Sequence, residues 1–178
     1  LSEIQQHIAR EQKPASFLIP SHFELSVDLK RQVGSVDNVS ALLPGNAPEA
    51  ANEYVVIGAH YDHLGYGGDS SMDSSGVGKI HPGADDNASG VQGVYDLALR
   101  MKSAHANRRP ILFVFFTAEE VGLLGSKHWV ENAPLPDGAK VAWMINLDMV
   151  GRLDHNRLSA LAAGSAMEFK PILEQTNA

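Results

Sequence analysis

The spacing of apolar residues at the start of the chain predicts a helix and then an outer strand. Leu1, Ile4 and Ile8 recur at helical spacing, and prolines then interrupt the pattern, so we expect a short helix and a loop over residues 1–22. Residues 23–29, FELSVDL, alternate apolar and polar positions. This period is typical of a strand with one face in water. We therefore expect the main domain to begin here and to cover residues 23–178.

Longer apolar segments predict a central sheet flanked by helices. The predicted strands lie at 38–45, 53–60, 108–120, 140–151 and 157–164, and the predicted helices at 87–104, 122–133 and from 166 onward. The central strands are apolar without alternation, which indicates burial on both faces. A loop rich in Gly, Ser and Asp covers residues 65–83. The alternation of strands with helices predicts an α/β fold with a mostly parallel or mixed central sheet.

Composition narrows the classes of function. The chain has 178 residues and is 44% hydrophobic and 20% charged, as expected for one soluble globular domain. Its formal charge of -7 argues against a nucleic-acid partner, whose phosphates require a basic face. No apolar run approaches the roughly 18 residues that cross a bilayer, so we expect no membrane partner. Since the chain contains no cysteine, any metal must be held by histidine and carboxylate side chains.

Polar side chains follow the predicted central strands where these strands end, and two more lie between the loop at 65–83 and the next helix. They are His60, Asp62, Asp85, Asp86, Glu119, Glu120 and Asp148. Ligand sites of open α/β sheets lie beyond the carboxyl ends of the strands, so we expect these residues to converge. Histidine with several carboxylates is a ligand set for divalent metals. Without a cation, so many neighbouring carboxylates would repel one another.

Two metal ions account for this number of ligands better than one. We expect Asp85 to bridge two ions about 3.5–4 Å apart, as carboxylates do in hydrolytic sites. His60 and Asp148 would complete one site, and Glu120 would bind the other ion.

Two further residues are predicted to support catalysis. Asp62, two residues after His60, is placed to accept the second N–H of the imidazole and to fix its tautomer. Glu119 and Glu120 are neighbours and are expected to point in different directions. We therefore assign Glu120 as a ligand and Glu119 as the general base that accepts a proton from water.

Each residue also has a simpler interpretation. His60 could be a hydrogen-bonded core histidine, and GADDNASG could serve only as a loop and helix cap. Glu119 and Glu120 could be ordinary acids in the first turn of a helix. Their joint occurrence at successive strand ends favours the metal site. His63 and His81 flank that site and are the substitutes for any ligand that it lacks.

Four motifs make the chain resemble the di-zinc aminopeptidases, the family that also contains enzymes like glutamate carboxypeptidase II. They are GAHYDHLG, HPGADDNASG, FFTAEEVGLLGS and INLDMVGR, in this order, and the resemblance covers about Asn38 to Arg152. It implies a three-layer α/β/α sandwich of the phosphorylase/hydrolase type and two zinc ions. Matched motif by motif, the resemblance implies zinc ligands at His60, Asp85, Glu120 and Asp148. It implies the general base at Glu119. The resemblance also implies a cis peptide bond between Asp85 and Asp86.

The chain departs from this family at its C-terminal end. The resemblance implies one more histidine ligand and further strands beyond Ala178, so we expect the domain to lack its last strands. The Glu120 site would then hold its zinc weakly or stay empty unless another histidine fills in. A missing sheet edge would also expose strand backbone and favour a homodimer or strand exchange.

The expected function is that of a zinc-dependent exopeptidase, in the first place an aminopeptidase acting on peptides. Carboxypeptidase or glutaminyl cyclase activity in the same family remains an alternative, as does a non-catalytic module, and we expect that the truncated chain can be inactive by itself. Bacterial members of the family are often exported, which predicts a periplasmic or extracellular location. The sequence begins at Leu1 and not at methionine, which suggests a piece of a longer protein. It does not determine the preferred substrate side chain.

Overall fold

A computed structural model describes residues 2–17, 21–22, 24–30, 33–68, 71–72, 75–76 and 78–177. The chain forms two compact units, Leu1–Gly34 and Ser35–Ala178. The first contains the predicted N-terminal helix, α1, over Ser2–Glu11. The strand predicted at 23–29 is wrong, because the described residues 24–30 form neither helix nor strand. Leu25 and Leu29 are 86% and 87% exposed, so the apolar side of the alternating pattern is not buried at these two positions.

A mixed four-stranded sheet forms the centre of the second unit. Its strands are β1 (Val39–Leu43), β2 (Glu53–His60), β3 (Ile111–Phe116) and β4 (Lys140–Asn146). They lie in the order β1-β3-β2-β4. β2 pairs in parallel with both β3 and β4, whereas β1 runs antiparallel to β3. This arrangement confirms the predicted mixed sheet.

Helices cover both faces of the sheet. α2 (Gly90–Ala104) connects β2 to β3, and α3 (Leu124–Glu131) connects β3 to β4. Val94 of α2 packs in a core with Ile57 and Phe113. Trp129 of α3 packs in a second core on the opposite face, with Val56 and Val114 among others. Because neighbouring residues of a strand point to opposite faces, the two cores establish the α/β/α layering.

The last part of the chain differs partly from the prediction. Residues 157–164 form turns and a short 3₁₀ segment at Ala163–Ser165, so the strand predicted there is wrong. These residues are mostly exposed, with Leu158 at 64% and Leu161 at 90%, so the apolar side chains of the segment gain little from burial. The expected C-terminal helix is present as α4 (Phe169–Thr176). None of the described helices is long and apolar enough to cross a membrane.

Candidate metal centre

The carboxyl ends of the parallel strands lie side by side at one edge of the sheet. His60, the last residue of β2, pairs with Phe116, the last residue of β3. Gly58 of β2 pairs with Asn146, the last residue of β4. Residues that follow these three strands therefore meet at one place.

The first cluster forms around His60, which is 3% exposed. Its Nε2 atom lies 3.1 Å from Oδ1 of Asp86 and 3.4 Å from Oδ1 of Asp148. Its Nδ1 atom lies 3.1 Å from the backbone oxygen of Asp62. A carbonyl oxygen can only accept a hydrogen bond, so Nδ1 carries a proton. In a neutral imidazole, Nε2 then directs a lone pair at two carboxylates, and this arrangement requires a cation or a second proton.

The pKa of His60 reflects this requirement. Burial of the imidazole lowers it, but the charges of Asp148, Glu119 and Asp86 and the backbone oxygen of Asp62 raise it by more. The net effect is a pKa above its ordinary value. The position is thus built to hold positive charge, which a divalent metal would supply in place of the proton.

A second cluster lies next to the first and shares one residue with it. Nδ1 of His63 lies 2.6 Å from Oε1 of Glu120 and 3.9 Å from Oδ2 of Asp86. The side chains of His63 and Glu120 are 21% and 19% exposed. In the described part of the chain, His60, Asp86 and Asp148 form one group that could hold a metal ion, and His63, Asp86 and Glu120 form another. His81, the other flanking histidine, lies with its ring centroid 6.3 Å from that of His63.

Asp86, and not Asp85, lies between the two clusters, which corrects the predicted bridging residue. Oδ1 of Asp85 accepts a hydrogen bond from the Gly151 amide at 3.0 Å, and Oδ2 lies 3.6 Å from Nε of Arg152. These contacts direct the Asp85 side chain to the segment after β4. The cis peptide bond likewise lies one residue later than predicted, between Asp86 and Asn87.

Asp62 lies beside His60, as predicted, but its carboxylate makes different contacts. The nearest carboxylate oxygen is 3.8 Å from Nδ1 of His60, so the backbone oxygen makes the closer contact. Oδ1 accepts a hydrogen bond from the Glu119 amide at 3.1 Å, and Oδ2 from the Glu120 amide at 3.4 Å. Asp62 thus holds the backbone of both glutamates.

Glu119 has the properties of a proton acceptor. Burial raises the pKa of its carboxyl group, His60 lowers it, and the charges of Glu120, Asp148 and Asp62 raise it again, with a net increase. A carboxylate with a raised pKa is a stronger base than an exposed one, which suits general base catalysis. Glu119, His60 and Asp148 line a cleft of about 200 Å³, and Phe116, Leu123 and Met144 line it as well.

The sequence pattern placed Asp86 and His63 near the site but did not assign either of them to a cluster. Asp85 and Asp86 are adjacent, and only the backbone path through the kinked turn at Ala84–Ser89 decides which one faces His60. His63 was recognised as a flanking residue. The contact of His63 with Glu120 depends on the bend of the chain after β2, which the periodicity of apolar residues does not encode.

Comparison with known proteins gives a consistent family assignment. Residues 38–178 match the family model for peptidase family M28. The chain is 33% identical over 115 residues to leupeptin-inactivating enzyme 1 of Streptomyces exfoliatus, covering 64% of this chain and 22% of that protein. It is 34% identical over 99 residues to aminopeptidase YwaD of Bacillus subtilis strain 168, covering 56% of this chain and 18% of that protein.

A solved structure gives a similar result at the level of the fold. The structure of glutaminyl cyclase from Tannerella forsythia has a TM-score of 0.51 and 30% sequence identity, covering 64% of this chain and 41% of that one. The chain thus spans about a fifth of the length of the two curated relatives and less than half of the cyclase.

Proposed function

Because this chain belongs to peptidase family M28, we propose that its two clusters bind two zinc ions and that the whole protein is an aminopeptidase. The observation that carries the proposal is the position of Asp86, whose two carboxylate oxygens face two different histidines. Each histidine has a further carboxylate beside it, Asp148 at His60 and Glu120 at His63. A bridging carboxylate with one His and one acid on each side is suited to a pair of metal ions.

The residues fit zinc chemically. The ligands are histidine nitrogens and carboxylate oxygens, which zinc accepts in a chain without cysteine. Nδ1 of His60 is occupied by a backbone carbonyl, which leaves Nε2 for a metal and is the usual arrangement around a zinc-binding histidine. His63, beside Glu120, would supply the histidine nitrogen that the second site was expected to lack. We therefore propose that both sites fill within this chain.

The zinc ions, when bound, act as Lewis acids that polarise the scissile carbonyl and make water more acidic. Glu119, at the cleft wall with His60 and Asp148, accepts a proton from the attacking water and returns it to the leaving amine. Asp62 keeps Glu119 and Glu120 in place through their amides. The apolar residues Phe116, Leu123 and Met144 that line this cleft would contact an apolar side chain of the substrate. An exported location remains part of the proposal.

Glutaminyl cyclase activity is the second candidate. The cyclase from Tannerella forsythia shares the fold and 30% of the aligned sequence. Cyclisation of an N-terminal glutamine releases ammonia and consumes no water, so the two activities are separable in one assay. The similarity to aminopeptidase YwaD favours hydrolysis as the first proposal.

The test combines a zinc count with a panel of aminoacyl-p-nitroanilides and a glutaminyl peptide. The variants are Glu119→Gln and, as a control, Glu131→Gln on the exposed end of α3. We expect two zinc ions in all three proteins and a rate roughly 10²- to 10⁴-fold lower for Glu119→Gln alone, as for loss of a general base. Zinc without cleavage would contradict the peptidase proposal, and cyclisation without hydrolysis would favour the second candidate.

A further inference from the structure

The turn before α2 holds the segment that follows β4, and Asn87 is at the centre of this contact. Asn87 is 2% exposed. Its Nδ2 atom donates to the backbone oxygen of Leu147 at 2.9 Å, and its Oδ1 atom accepts from the Met149 amide at 3.4 Å. These two backbone groups lie on either side of Asp148. One buried side chain therefore contacts the chain immediately before and immediately after a proposed zinc ligand.

Two other residues of the turn extend the contact. Oγ of Ser89 accepts from the Val150 amide at 3.0 Å and donates to the backbone oxygen of Asp85 at 2.6 Å. Oδ1 of Asp85 accepts from the Gly151 amide at 3.0 Å. The backbone amides of residues 149, 150 and 151 thus donate to Asn87, Ser89 and Asp85, respectively. These three acceptors are alternate residues of the turn.

The backbones approach each other so closely that larger residues would collide. A Cβ atom added to Gly151 would lie 2.8 Å from Cβ of Ser89, and one added to Gly90 would collide with the backbone oxygen of Leu147. Met149 has a φ of 50°, in the left-handed region that non-glycine residues rarely adopt. Such a conformation persists where the surroundings determine it, and here Asn87 binds the Met149 amide.

We propose that Asn87, supported by Ser89 and Asp85, is a positioning residue that aims the Asp148 carboxylate at Nε2 of His60. This inference rests on the proposed zinc site. Asp86 lies between two of these residues and faces the histidines instead. The same turn therefore supplies one ligand of the first cluster and fixes the backbone of another. A ligand held in this way loses little conformational entropy when metal binds.

The first measurement is independent of metal. Hydrogen exchange of the metal-free protein is compared among wild type, Asn87→Ala and Ser89→Ala, with Asn107→Ala as the matched control. Asn107 also joins two backbone segments, through the carbonyls of Pro44 and Arg109, but lies at the opposite ends of the strands. We expect faster exchange in residues 147–151 for the two turn variants and not for the control. Ser89→Ala removes one hydrogen bond to this segment, where Asn87→Ala removes two, and serves if Asn87→Ala does not fold.

The second measurement is zinc affinity by competition with a chelating dye. Loss of a group that orients a metal ligand typically weakens binding roughly 10- to 100-fold. We expect this loss for one of the two ions in Asn87→Ala, a smaller loss in Ser89→Ala, and none in Asn107→Ala.

The outcomes separate this inference from the proposed function. Unchanged exchange in residues 147–151 would overturn it, as would faster exchange with unchanged zinc affinity. An equal loss of affinity in Asn107→Ala would show a general effect of stability and would also overturn it. A wild-type chain that binds no zinc would contradict the proposed metal site, and the exchange rates alone would then decide whether Asn87 holds the Asp148 segment.

Discussion

Asp86 presents one carboxylate oxygen to each of two histidines, and this geometry distinguishes it from its neighbour. Oδ1 faces His60 and Oδ2 faces His63. Asp85 contacts the amide of Gly151 and the side chain of Arg152 instead. The two aspartates are chemically identical, so a difference between their variants would come from position alone.

We expect Asp86→Asn to lose most of both zinc ions, because the amide removes the negative charge shared by the two clusters. Asp85→Asn is the matched control, since an amide oxygen can still accept the hydrogen bond from Gly151, and it should keep both ions. Elemental analysis of the dialysed proteins measures the difference. Retention of zinc by Asp86→Asn, with loss by Asp85→Asn, would restore Asp85 as the bridging residue.

The raised pKa values of His60 and Glu119 predict how the stability of the metal-free protein depends on pH. Both groups bind protons more tightly in the folded state, so stability falls as pH rises. The stability that His60 contributes is fully present below about pH 6.5, its ordinary pKa, and is lost as the pH rises through the raised pKa of the folded state. The stability that Glu119 contributes is fully present below about pH 4.3 and is lost in the same way. Urea unfolding should therefore give a lower free energy at pH 8 than at pH 6.

The control for this pH dependence is a pair of histidine substitutions. His60→Gln should reduce the difference between pH 6 and pH 8, whereas His7→Gln, on exposed α1, should leave it unchanged. A metal-free protein that becomes more stable between these two pH values would contradict the sign of the effect.

At the scale of elements, α3 links the core to the end of β3. Trp129 of α3 is 6% exposed and packs edge-on against Phe116, with ring centroids 6.3 Å apart. Phe116 ends β3, and Glu119 and Glu120 follow within four residues. The contact therefore supports the strand end that carries both glutamates.

We expect Trp129→Ala to lower the free energy of unfolding by about 3–5 kcal/mol, the usual cost of removing a large aromatic side chain from a core. Val130 is the next residue on the same helix and is 73% exposed. Val130→Ala should therefore change stability by less than about 0.5 kcal/mol. Chemical denaturation measures both, and equal effects would show that Trp129 does not contribute to the core as described.

An edge strand carries a separate expectation about self-association. Within the described part of the chain, β4 pairs with β2 alone, and its Val141 and Met144 are 40% and 42% exposed. An edge strand with unpaired backbone groups and exposed apolar side chains favours pairing with another chain. Sedimentation should show concentration-dependent dimers that Val141→Lys reduces and Val130→Lys, on α3, does not. A monomer at all concentrations would contradict this expectation.

At the scale of the whole molecule, zinc should stabilise the folded state because the two clusters form only when the strand ends and the turn before α2 meet. A ligand present at 100 times its Kd adds about 2.7 kcal/mol per site. For a chain of this size, 1 kcal/mol corresponds to roughly 2–4 °C in Tm, so removal of both ions should lower Tm by roughly 10–20 °C.

Calorimetry with and without a chelator tests this expectation. Glu119→Gln should respond as wild type does, since Glu119 is not a proposed ligand, whereas Asp86→Asn should show little response. A Tm that does not change on chelation would contradict structural coupling of the ions to the fold.

The sequence by itself determined the α/β class, the central strands and the place where functional residues meet. The apolar runs are long enough to define β2, β3 and β4. Ligand sites of open α/β sheets lie beyond the carboxyl ends of the strands, so the location of the functional residues follows from the order of the elements. The segments at 23–29 and 157–164 were misassigned, because a strand depends on a partner surface that lies elsewhere in the chain.

Only the tertiary structure decided which side chains share a site. The path of the kinked turn directs Asp86 to the histidines and Asp85 to Gly151, and two adjacent identical residues carry no signal of that choice. The bend after β2 brings His63 to Glu120, across 57 residues of sequence. Periodicity reports which face of an element is buried, whereas a metal centre depends on distances between elements, which only folding sets.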